Sequence, residues 1–178
     1  MQLLEGRYVY SATDLNNYLE CEHLVALERR VAQRLLVRPG DFDPTAQLVK
    51  RKGDEHEQRR WNAYVTELGV TAVSFAQRPN NSRSGLVAAE AQTIAAMARG
   101  ARIIYQATFF DGQFVGHADF LRRIEVPSRR WSWSYEVIDT KLALSPKPYF
   151  LIQLCNYSEH LERVRQRTTA RLHRARQR

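Results

Sequence analysis

The sequence predicts an α/β fold in which helices cover both faces of a mixed central sheet containing an antiparallel meander. Three observations lead there. Element signals run helix, helix, strand, helix, three strands, helix along 178 residues. Apolar spacing switches from helical to alternating after Gly100. Asp111-Gly112 then joins two strand-like runs as a tight hairpin turn.

Ser11 followed by Asp14 is a helix-start signal, and helical spacing covers 13–36. Arg38-Pro39-Gly40-Asp41 breaks it. Asp43 as cap and Pro44 as first helical residue open a second helix, which Gly69 ends. A strand over 70–75 and a polar loop over 77–84 follow, then an alanine-rich helix over 86–99 stopped by Gly100. Strands are predicted over 101–110, 113–125 and 131–142, with Pro127-Ser128 as the second turn. Ser145-Pro146-Lys147-Pro148 breaks the chain, and 149–163 reads as a helix with Phe150, Leu154, Tyr157 and Leu161 on one side.

This length suits one domain with a full core, here 1–164. A tail over 165–178, Arg-rich, is expected to be mobile. Net charge is +8, from 27 Lys+Arg against 19 Asp+Glu, which favours polyanionic partners. Much of the excess is local, since seven arginines and one acid follow Leu161. No apolar run approaches the roughly 18 residues that span a bilayer, and the amino terminus lacks a signal-peptide pattern. The expectation is a soluble, cytoplasmic chain without a membrane partner. Cys21 and Cys155, far apart in sequence, suggest neither a disulfide framework nor a four-cysteine site.

The chemistry concentrates on the meander. A strand that carries Asp139 and Lys141 two residues apart puts both on one face. Asp119, on the preceding strand, can meet Asp139 across the hairpin. Two carboxylates and a lysine suit a hard divalent cation with an oriented water, which is what phosphodiester hydrolysis needs. The plainer alternative is a cross-strand salt bridge on a wet sheet face. By alternation His117 shares the face of Asp119 and is a rival ligand, whereas Glu136 points away from Asp139. The stripe Trp131, Trp133, Tyr135 reads as packing rather than a base-stacking platform.

Gly116-x-x-Asp119-Phe120-Leu121, Glu136-x-x-Asp139-x-Lys141-Leu142-Ala143 and Gln153-x-x-x-Tyr157, in that order, resemble the RecB-like branch of the PD-(D/E)XK nuclease superfamily. The likeness covers about residues 8–165. It is nearest to RecB-like nucleases that begin with a segment like SATDLNNYLECEHL, relatives of the CRISPR-associated RecB-type exonucleases. It implies a restriction-endonuclease-like α/β/α sandwich. It further implies a Mg²⁺- or Mn²⁺-dependent deoxyribonuclease, acting as exonuclease or end-processing enzyme on single- or double-stranded DNA ends in repair, recombination or defence.

The same resemblance implies roles for individual residues. Asp119 and Asp139 match the metal-binding acids and Lys141 the catalytic lysine. His56, in Gly53-Asp54-Glu55-His56-Glu57, matches a helix-borne metal ligand, and the Thr140 carbonyl completes the shell. Gln153 and Tyr157 match a motif that contacts the nucleic-acid strand. On the residues alone, His56 reads equally as a half-buried polar group, Gln153 as a partner for the backbone and Tyr157 as core. Some relatives hold an iron–sulfur cluster through one early and three late cysteines. Cys21 stands at the first position but nothing after Cys155 supplies the rest, so no cluster is expected. Helicase or other nuclease-complex subunits are the implied partners. The rival functions are a non-catalytic nucleic-acid-binding module of such an assembly and a protein-interaction domain.

Overall fold

The computed structural model describes residues 1–40, 43–75, 79, 81–141 and 147–166. The first element is a hairpin the sequence reading missed: β1 (Gln2–Leu4) pairs antiparallel with β2 (Arg7–Val9). Its two-residue turn, Glu5-Gly6, has both residues at positive φ, the backbone that a tight hairpin demands. Two helices follow in place of the single helix expected over 13–36. These are α1 (Ala12–Glu20) and α2 (Glu22–Ala32), separated by Cys21 in an extended conformation. An unbroken helix there would overrun this small sheet; the break folds α2 back on α1 and β1. Asp14 closes the start of α1, accepting from the Ser11 backbone N–H and hydroxyl at 2.8 Å each.

The third helix, α3 (Pro44–Leu68), begins as predicted, with Asp43 accepting from the Thr45 N–H at 2.8 Å and Pro44 in the first turn. Gly69, at φ 57°, ends it. Next come β3 (Ala72–Ser74), shorter than the predicted 70–75, and α4 (Arg83–Ala98), capped by the Ser82 hydroxyl. Gly100 at φ 75° closes α4: its N–H bonds the Met97 carbonyl while the Ala101 N–H bonds that of Ala96. The meander comprises β4 (Ile103–Phe110), β5 (Val115–Ile124) and β6 (Ser134–Ile138). The β4–β5 connection is not the two-residue turn expected at Asp111-Gly112. It has four residues, because the Asp111 carboxylate accepts from the Gln113 and Phe114 N–H groups and holds a wider loop. β6 is shorter than the strand predicted over 131–142 and ends at Ile138, so Asp139 and Lys141 lie just beyond it rather than within it.

α5 (Pro148–Gln166) is the last element among the described residues, and it takes Arg165 and Gln166 from the expected tail into a helix. The rest of that tail, 167–178, lies outside the described residues, as do Leu142, Ala143 and parts of the loops at 77–84 and 145–148. The sheet order is β3-β4-β5-β6, with β3 parallel to β4 and the other pairs antiparallel. One face packs on α4 and α5 through Ile104, Phe109, Leu121, Tyr135, Met97 and Leu161. The other packs on α3, where Tyr64, Trp61 and Leu68 cover Ile103, Tyr105, Phe120 and Ile138. The mixed α/β architecture with helices on both faces is therefore as predicted.

Strand alternation fails at one place. Residues Ile103 and Tyr105 face α3, yet Ala107 and Phe109 face α4 and α5. Between them Gln106 sits at φ 57°, and strand pairing skips it and Asp119 opposite, while the register on either side is unchanged. A left-handed residue inside a strand turns the chain over without adding a residue.

The aromatic stripe is packing, as expected. The Trp133 indole N–H and the Tyr135 hydroxyl both donate to the Met97 carbonyl, and Tyr135 also to that of Ala101 at 2.7 Å. Burial pushes the Tyr135 hydroxyl up to about 12. Gly116 marks another close approach, since a Cβ there would stand 2.8 Å and 2.9 Å from Tyr157 ring carbons. Gly116→Ala is accordingly expected to lower the unfolding free energy in urea by about 1–3 kcal/mol. Gly53→Ala in α3, with nothing within 4 Å of the added carbon, should instead raise it by up to about 1 kcal/mol.

Candidate functional site

The β5–β6 register sets Phe120 against Ile138, which brings Asp119, midway along β5, opposite Asp139, just past the end of β6. Thr140 locks this meeting, because its backbone N–H and hydroxyl donate to Asp119 Oδ2 at 3.0 Å and 3.3 Å. Lys141 Nζ bonds Asp139 Oδ1 at 2.8 Å and stands over the Phe150 ring at 5.6 Å. The Asp139 side chain is only 3% exposed, Lys141 32%. Burial raises the Asp139 carboxyl to about 7; the Lys141 bond opposes that rise and the Asp119 carboxylate adds to it. One ammonium therefore does not neutralise the pair.

A cavity of about 370 Å³ opens beside Asp119, lined also by Glu57, Gln106, His117, Gln153 and Tyr157. The Gln153 amide donates to the Tyr157 hydroxyl at 2.9 Å, one helical turn apart. Tyr157 is buried against the sheet, and burial followed by Asp119 and Asp139 raises its hydroxyl above the usual tyrosine range. Tyr157 is thus core, as the residues alone suggest, and also lines the cavity. His117 lines the cavity with its Nδ1 3.1 Å from the Thr108 hydroxyl, and Glu136 turns away to pair with Arg122.

Sequence reasoning missed Glu57. It continues the inward stripe of α3, Glu57, Trp61, Tyr64, Leu68, at helical spacings of four, three and four. Trp61 stacks on Tyr105 at 5.1 Å and Tyr105 on Phe120 at 5.2 Å, which fixes the helix against the sheet. Glu57 then takes a hydrogen bond from the Gln106 amide, and its neighbour His56, about 100° round the helix, is not among the cavity-lining residues. Burial, then Asp119, raises the Glu57 carboxyl above its usual range, with Gln106 and Tyr105 opposing. That stripe was the available signal.

The structure thus brings Asp119, Asp139, Thr140 and Lys141 together, with Gln153 and Tyr157 at their border, and presents Glu57 rather than His56. The Thr140 groups seen at work are its N–H and hydroxyl. Among the described residues no three His, Cys, Asp or Glu side chains form a ready-made metal cluster. The donor chemistry nevertheless fits a cation: two facing carboxylates, one of them bonded to an ammonium, and a third acid across the cavity whose proton affinity Asp119 raises. Compared with family models, with curated proteins and with solved structures, the chain finds no match. No helix among the described residues is long and apolar enough to cross a membrane.

A carboxyl raised from 3.8 to about 7 by folding stabilises the native state while protonated and loses that contribution as pH climbs through 7. In EDTA, Asp139→Asn is therefore expected to be more stable than wild type at about pH 8, by on the order of 2 kcal/mol, and to melt at higher temperature. The gap should shrink towards about pH 4. Thermal melts across that range, with equal gaps at both ends, would disprove the assignment.

Proposed function

We propose that this chain is a divalent-metal-dependent nuclease with a RecB-like PD-(D/E)XK fold, hydrolysing DNA phosphodiesters. The observation that carries the reading is Asp119, held by Thr140, facing Asp139, whose buried carboxyl is shifted towards its protonated form although bonded to Lys141. A surface salt bridge would leave both partners wet and the acid unshifted. The order β3-β4-β5-β6, with one parallel and two antiparallel neighbours and helices on both faces, is compatible with that fold.

Asp119 and Asp139, with Glu57 or His56 and the Thr140 carbonyl, would hold Mg²⁺ or Mn²⁺, which when bound polarises a phosphoryl oxygen. The chain supplies the rest. Thr140 keeps Asp119 oriented through two donors to one oxygen. Lys141 orients the attacking water and offsets charge building on the phosphoryl oxygens. The water oxygen forms the new P–O bond, the ester P–O bond breaks, and the leaving oxygen takes up a proton. Gln153 and Tyr157 steady the strand beside the acids.

End-labelled single-stranded and duplex DNA with Mg²⁺ or Mn²⁺ tests this directly. Wild type should cleave both or one, with Lys141→Ala and Asp119→Ala each at least about a hundredfold slower. Glu57→Gln should weaken metal dependence more than His56→Ala does. Salt-sensitive DNA binding with no cleavage under either metal would replace the reading with that of a non-catalytic binding module.

A further inference from the structure

An irregularity of β4 meets the acid of α3, and we infer that Gln106 is a positioning residue that fixes the Glu57 carboxylate for the cation. The inference rests on the nuclease reading above. In a regular strand neighbouring side chains point to opposite faces, so Tyr105 and Gln106 could not both serve one acid on α3. Here they do. Tyr105 faces α3, and the left-handed backbone of Gln106, at φ 57°, brings the next side chain to the same carboxylate. The Gln106 amide donates to Glu57 Oε1, and Tyr105 likewise favours the charged form of that acid.

The choice of residue is the second observation. Glycine adopts this backbone freely, whereas any other side chain is strained there and persists only where its surroundings or its use require it. Packing does not require this side chain. Gln106 is half-buried, lines the cavity and belongs to none of the three apolar clusters. What glycine could not supply is the amide.

Its place agrees. Strand pairing skips Gln106 and Asp119 together, so the residue bonded to Glu57 lies across the ladder from the acid of β5. A glutamate side chain left loose would have to be ordered when a cation arrives, at a cost in affinity. Held beforehand by a neighbour that is not itself a ligand, it meets the cation in place.

Mn²⁺ binding, read without DNA by the electron paramagnetic resonance of the free ion, tests this. Gln106→Met keeps the chain length and donates nothing. Gln106→Gly removes the side chain and accepts the left-handed turn, so it keeps the fold if methionine disturbs it. Each should bind Mn²⁺ about tenfold more weakly than wild type. In a Glu57→Gln background the same two changes should alter affinity by less than about twofold, because the group they position is gone. Wild-type affinity in Gln106→Gly would mean that the turn serves packing alone; it overturns the inference and leaves the nuclease reading standing. A tenfold loss that persists in the Glu57→Gln background, or a Glu57→Gln protein that binds as wild type does, overturns it too. A wild type that binds no Mn²⁺ overturns both.

Discussion

A glutamine held in the left-handed region in the middle of a strand governs how this site is arranged. At φ 57°, Gln106 is a conformation that costs a non-glycine residue about 1–3 kcal/mol. Regular pleating would send it and Asp119 where the alternation of β4 and β5 dictates. Instead both strands turn over at that level, and Gln106 reaches Glu57 while Asp119 reaches Thr140. The strain is held in place from both sides, by the register of β4 with β5 and by the stack Trp61, Tyr105, Phe120 next to it. Rigid surroundings and a local irregularity together aim the functional groups.

The electrostatics follow from that aim. Acids converge from α3, β5 and the end of β6, and one lysine meets Asp139 alone. Burial raises the two shifted carboxyls, and mutual repulsion through Asp119 raises them further. Such an arrangement destabilises the free protein and is favourable to a cation, which is the usual conflict between stability and function at a charged site. Gly116 belongs to the same design, since only the absence of a Cβ lets the Tyr157 ring lie against β5 near the acids.

Much of this was legible in the residues. The Asp43-Pro44 cap, the Gly100 stop and the alternating runs of the meander are local signals, and each element stands where they point. The pairing of β5 with β6 that sets Asp119 opposite Asp139 was legible for the same reason. The extended Cys21 was not, since neither it nor its neighbours is a helix breaker and the cause is the packing of α2 on α1. The turn of Gln106 was not, because its cause lies in contacts from distant elements. Glu57 lay between the two: its stripe was readable, but adjacent His56 drew the assignment.

The amino-terminal hairpin and α1, which line one side of the cavity with Gln2, Thr13 and Asn16, are joined to the rest differently from everything else around it. Their own small cluster, Val9 with Leu86, Phe110 and Val115, is separate from the two cores that clamp the sheet. Two backbone bonds of 2.8 Å tie this segment to the sheet, from Tyr10 N–H to the Gln113 carbonyl and from Val115 N–H to the Tyr10 carbonyl, and α1 packs on α5. Loosening that flap leaves the acids, the lysine and the aromatic stack assembled. The molecule can therefore breathe on this side at much less than the free energy of global unfolding. Amide exchange along β1 and β2 becomes a clock for how often the cavity is open.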